Sequence, residues 1–229
     1  RWTSLRSAGV GGVIFFSDIM NKLLVVAIFL LSQNCFGDSF EKDFVAAAID
    51  RTTQNVKYDG SYFSISYPNG DVPENIGVCT DVVIRSYRAL GIDLQVLVHE
   101  DMSSHFDVYP SKRIWGLNNT DKNIDHRRVP NLQVFLSRHG KELSISEKAD
   151  DYSPGDIVTW MLPGNLPHIG IVTDKVSPTT GNPLIVHNIG SGPSLDDMLF
   201  SFRITGHYRY VPKKYNNSSK WDAASGAPS

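Results

Sequence analysis

The chain has 229 residues, with 22 basic and 24 acidic side chains, a net charge of −2 and a hydrophobic fraction of 41%. That length allows one domain with a sizeable core or two small ones, and the composition excludes a disordered chain. The near-balanced charge argues against a nucleic-acid-binding protein, which would carry a strongly basic face.

Met20-Asn21-Lys22 opens a short basic region, residues 23–31 are continuously apolar, and Cys35-Phe36-Gly37 puts small residues at the −3 and −1 positions of a cleavage site. This is the layout of a secretory signal peptide over 20–37, too short for a membrane span. Residues 1–19 precede that start methionine and are read as extra upstream sequence. A lipoprotein with Cys35 lipidated is a weaker reading, because Ser32-Gln33-Asn34 lacks the small residue expected before such a cysteine. Cleavage near Gly37 leaves a domain over 38–211 and a disordered, Lys/Asn/Ser/Ala-rich tail over 212–229. The expected location is the periplasm or the exterior, with no stable membrane span after signal removal. Cleavage also removes Cys35, so Cys79 is left as a lone thiol. A lone cysteine in an exported chain is flagged as reactive or intermolecular.

In chain order, residues 40–50 read as a helix with Phe40, Phe44, Ala47 and Ala48 on one face. Residues 58–60 form a turn and 62–67 alternate as a short strand. After a loop over 68–73, Cys79, Val83, Tyr87 and Leu90 make a helical stripe closed by Gly91. A further helix or turn covers 94–106, and 109–128 is a long polar and aromatic loop of the kind often tied to function. Asn131 is expected as the N-cap of a helix ending at Gly140. Strands follow over 156–161, 168–173, 184–189, 198–203 and 206–211. Helices first and strands after predict an α+β domain with N-terminal helices packed on an antiparallel β-sheet.

Cys79 falls at a helix start, where unsatisfied N–H groups and the macrodipole favour a thiolate and lower the thiol pKa. Simple burial of a small apolar residue is the alternative. A nucleophilic thiol needs a base, and the base needs an orienting group. His168 starts one expected strand, and His187 with Asn188 ends the next. If the two strands are antiparallel neighbours, His168 and His187 meet at one edge. Neighbouring residues on a strand face opposite sides, so His187 and Asn188 compete for the orienting role, with His187 preferred. Asp81 is read either as a substrate contact or as the partner of Arg85 at i, i+4. Asp125, His126, Arg127 and Arg128 offer either a site for a substrate carboxylate or a structural ion-pair cluster. Tyr67 either donates to an oxyanion or packs.

Pro154-Gly155-Asp156, His168-Ile169-Gly170-Ile171-Val172 and Val186-His187 resemble, in order, the motifs of NlpC-type cell-wall cysteine peptidases. Thr80-Asp81 after the cysteine departs from that pattern, as does the long insertion between Cys79 and Asp156. A closer resemblance is to the YijF-like exported bacterial proteins, a domain of unknown function. It is carried by Gly70-Asp71-Val72-Pro73, Gly77-Val78-Cys79-Thr80-Asp81-Val82-Val83, Asn123-Ile124-Asp125-His126-Arg127-Arg128, Pro154-Gly155-Asp156-Ile157-Val158 and Gly206-His207-Tyr208-Arg209. These resemblances imply a papain-like fold and a cysteine hydrolase acting on peptidoglycan peptides without a cofactor. Cys79 would be the nucleophile, His168 the base and His187 the orienter. A non-catalytic cell-wall-binding module on the same fold is the competing reading. A metal hydrolase using His126, His168 and His187 ranks below both, since no metal-spacing motif is present.

Overall fold

The computed structural model describes residues 40–213. The signal-peptide and upstream expectations at 1–37, and the tail from 214 onward, lie outside the described residues. The helices are α1 (residues 40–51), α2 (Cys79–Ala89), α3 (Leu94–Ser104), α4 (Ser111–Trp115) and α5 (Val129–His139). Strands β1 (Lys57–Tyr58) and β2 (Ile76–Gly77) form a small parallel pair. A second sheet contains β3 (Lys141–Glu142), β4 (Ile157–Leu162), β5 (Leu166–Val176), β6 (Pro183–His187), β7 (Ser194–Asp196) and β8 (Arg203–Arg209). Its order is β3-β8-β4-β5-β6-β7, and every described pairing in it is antiparallel. The α+β expectation therefore holds for the described residues.

Alternation along the strands divides two apolar clusters. Ile157, Ile169, Ile171 and Val186 pack with the helices, around Phe44, Val83, Tyr87 and Phe135. Val158, Trp160, Val172 and Ile185 line the opposite face with Met198 and Leu199. Helix α2 runs through the first cluster as its periodicity requires, and Gly91 takes a left-handed φ of 69° just beyond it. Tyr87 is fully buried, and its hydroxyl donates to the Tyr210 carbonyl at 2.9 Å. Asp156, also fully buried, ties β8 to the start of β4. Its carboxylate accepts from His207 Nε2 at 2.8 Å and Arg209 Nε at 2.6 Å.

Three expectations fail for identifiable reasons. Residues 62–67 form no strand, because side chains take their backbone groups. The Ile65 N–H donates to Asn123 Oδ1, and the Ser66 carbonyl accepts from Gln95 Nε2. Residues 198–203 mostly turn, and β7 supplies the sheet edge instead. Helix α5 starts at Val129 with Pro130 in its first turn, where a missing N–H costs nothing. Asn131 lies inside it, fully buried, bonded to Ser111 Oγ and the Asp125 carbonyl.

Candidate active site

Cys79 is the first residue of α2 and is buried. The backbone N–H groups of Ile169, Thr80 and Cys79 itself favour its thiolate and pull the thiol down. Burial nevertheless dominates, with the Asp81 charge adding to it, and pushes the thiol up to about 12. The sequence expectation of a lowered thiol pKa is thus corrected. The helix-end field is outweighed by the cost of a buried anion.

His168 and His187 do meet, as the hairpin argument requires. Strands β5 and β6 pair through Ile171–Val186, and His168 Nε2 lies 3.0 Å from His187 Nδ1. His187 Nε2 in turn lies 3.0 Å from Asp196 Oδ2 on β7, and that oxygen also accepts from Ser194 Oγ at 2.6 Å. An ionised carboxylate only accepts, so His187 carries its proton on Nε2 and presents the Nδ1 lone pair to His168. His168 then carries its proton on Nε2, which leaves Nδ1 as the basic nitrogen. Burial and then the His187 neighbour push His168 down to about 3, and burial lowers His187 against the pull of Asp196. The resting pair is a thiol and a neutral imidazole.

Gly170 makes this close approach possible. A Cβ there would stand 2.7 Å from Ile185 Cγ2 and 3.1 Å from His187 Cβ. By strand alternation His168 shares the Trp160 face, while Cys79 belongs to the helix-side cluster. Among the described residues no hydrogen bond joins sulfur to imidazole. The Ile169 amide, which favours the Cys79 thiolate, lies one residue past His168.

Asn188 does not orient His168. Its Nδ2 lies 3.5 Å from the Gly77 carbonyl and its Oδ1 accepts from the Gly190 N–H at 3.1 Å, so it holds the approach to Cys79. Asp81 does not pair with Arg85. It accepts Arg127 Nε and Nη2, both at 2.9 Å, and the Val78 N–H at 2.7 Å. Arg85 bonds Asp71 instead. Asp125 accepts Arg128 Nη1 at 3.0 Å, and Thr80 Oγ1 donates to the Arg127 carbonyl. Arg127 fits the ion-pair reading, and its contacts clamp the 109–128 insertion onto the start of α2. His126 is buried, and burial followed by the Arg127 charge lowers it to about 4. Tyr67 packs edge-on against His99 at 5.2 Å and under Lys122. Among the described residues, no group of three His, Cys, Asp or Glu side chains converges as a metal site, and His126 lies apart from the histidine pair.

The tyrosine beside the cysteine is Tyr58, fixed on β1 opposite Gly77. Its phenol is raised by burial and then by the Cys79 and Asp81 charges, and it shares with Cys79 a cavity of about 250 Å³. Tyr58, Trp115 and Asp196 carry no functional signal in the sequence, whereas Arg128 belongs to the motif read there as a candidate carboxylate site. Tyr58 reads there as a turn residue, and Asp196 sits on a three-residue strand too short to show a period.

The family model described as a domain of unknown function, DUF1287, matches residues 45–210. The chain belongs to that family. It is similar to the uncharacterized protein YijF of Escherichia coli (strain K12), with 52% identity over 156 residues, covering 68% of this chain and 75% of the relative. The DUF1287 match spans the cysteine helix, the clamped insertion and the whole histidine hairpin. Among the described residues no helix is long and apolar enough to cross a membrane.

Proposed function

We propose that this protein is an exported, papain-like cysteine hydrolase that cleaves an amide or peptide bond in peptidoglycan peptides. The observation that carries the reading is the Asp196–His187–His168 chain, which ends on β5 one residue from Ile169, whose amide favours the Cys79 thiolate. Such a chain fixes the tautomer and orientation of a base. In this reading His168 Nδ1 takes the thiol proton as sulfur bonds to the carbonyl carbon, which requires the ring to turn from the Trp160 face of β5 toward Cys79. Because burial disfavours a resting thiolate, proton transfer accompanies attack rather than preceding it. The tetrahedral oxyanion is held by N–H groups at the start of α2, with the Tyr58 hydroxyl beside them. His168 returns the proton to the leaving amine, and a water deprotonated by the same nitrogen then hydrolyses the thioester.

The second reading is a non-catalytic module that binds cell-wall peptides on the same surface. It is favoured by the high Cys79 pKa and the missing sulfur–imidazole hydrogen bond. Mass spectrometry of purified peptidoglycan fragments incubated with wild type and Cys79→Ala separates the two. New fragments with wild type alone support the hydrolase. Unchanged fragments together with equal binding by both proteins support the module.

A further inference from the structure

We propose that Arg128 is the carboxylate-binding residue of the Cys79 cavity, so that the substrate is a peptide bearing a free carboxylate close to the scissile amide. The assignment rests on the hydrolase reading for the word substrate, but the binding site stands on its own geometry. Two guanidinium groups line this cavity together with Tyr58, Cys79, Trp115 and Pro167. Arg127 is spent: its Nε and Nη2 go to Asp81, and its Nη1 lies 3.4 Å from the Ser61 carbonyl. Arg128 is not. Among the described residues its guanidinium donates to one acceptor, Asp125 Oδ1, which leaves the remaining N–H donors unused. Yet its side chain is only 16% exposed.

The guanidinium carbon sits 4.3 Å from the centroid of the Trp115 ring, so the indole and Asp125 together hold the fork in place at the cavity wall. A fork held in advance loses little side-chain entropy on binding. A planar two-oxygen anion matches its free edge through paired, charge-assisted hydrogen bonds. The other walls are mostly apolar, including Ile124, Val129 and Pro130, so such a bond would form in a partly dry setting. The α4 segment and the 3-10 turn at Asp125–Arg127 bring Trp115 and Arg128 to the cysteine. The long insertion therefore carries the specificity.

The test uses the muropeptide mixture released from purified cell wall and the same mixture with its carboxylates converted to methylamides. Wild type, Arg128→Gln and Arg128→Lys are compared by mass spectrometry, with calorimetric binding of both mixtures to Cys79→Ala and to the Cys79→Ala/Arg128→Gln double variant. Wild type is expected to process the native mixture about tenfold or more faster than the amidated one, the margin of a charged hydrogen-bond pair. Arg128→Gln should lose that margin on the native mixture and change little on the amidated one, with Arg128→Lys in between. Equal processing of both mixtures by wild type overturns the inference and leaves the hydrolase intact. If wild type processes neither, the hydrolase reading fails and binding decides. Preference of Cys79→Ala for the native mixture, lost in the double variant, upholds the carboxylate site. Equal or absent binding overturns it.

Discussion

Acid should destabilise this fold through His126, and the size of the effect follows from its burial. The ring is 2% exposed, and its pKa falls from the ordinary 6.5 to about 4, first through burial and then through Arg127 and Arg88. An unfolded chain therefore takes up a proton near pH 6.5 that the folded chain refuses until about pH 4. The contribution of this group is fully present above 6.5 and is lost as pH falls through that window. The full loss is about 3 kcal/mol, and about 2 kcal/mol is already gone at pH 5. Urea unfolding of wild type and His126→Gln from pH 7.5 to 4.5 measures it. The variant should start less stable at pH 7.5, since it disturbs a buried site. The gap should then close by about 2 kcal/mol on reaching pH 5. Only the change in the gap matters, so a costly substitution does not spoil the test. His168, lowered to about 3, steepens both curves alike. Parallel curves for the two proteins would refute the claim that His126 is held neutral.

Three further outcomes are expected. Because Cys79 is pushed up to about 12, its alkylation by iodoacetamide should be slow at pH 6 and rise about tenfold per pH unit to pH 9; a plateau below pH 8 would instead reveal a thiolate–imidazolium pair. Asp196→Ala should lower kcat about tenfold or more with KM little changed, less than the roughly 10⁴ lost at a buried triad carboxylate, because the Asp196 side chain is 52% exposed; an unchanged kcat and pH profile would remove it from the chain of hydrogen bonds. Gly170→Ala should cost about 1–3 kcal/mol by forcing β6 away from β5, and imidazole NMR signals that stay put would show that the histidine pair does not depend on that glycine.

Local pattern is enough to place the elements that carry the candidate site. The spacing of Cys79, Val83 and Tyr87 allows one helical face, and Gly91 permits the left-handed residue that ends it. The apolar runs that form β4, β5 and β6 set their own alternation, so pattern alone puts His168 and His187 at facing strand ends. The DUF1287 match, residues 45–210, covers all of those elements.

What the sequence could not supply depends on which groups meet across long separations. Arg127 finds Asp81 across the fold, and Arg85 finds Asp71 rather than Asp81. Nothing in the spacing of like residues along the chain chooses between such partners. Tyr58 displaces Tyr67 beside the cysteine because β1 pairs with β2, a two-residue ladder with no periodic signature. The thiol pKa went the other way for a related reason. A helix start is visible in sequence, but the burial that outweighs its field exists only once α2 is packed against β5. Charge and period are properties of the chain, while desolvation and partner choice belong to the packed structure.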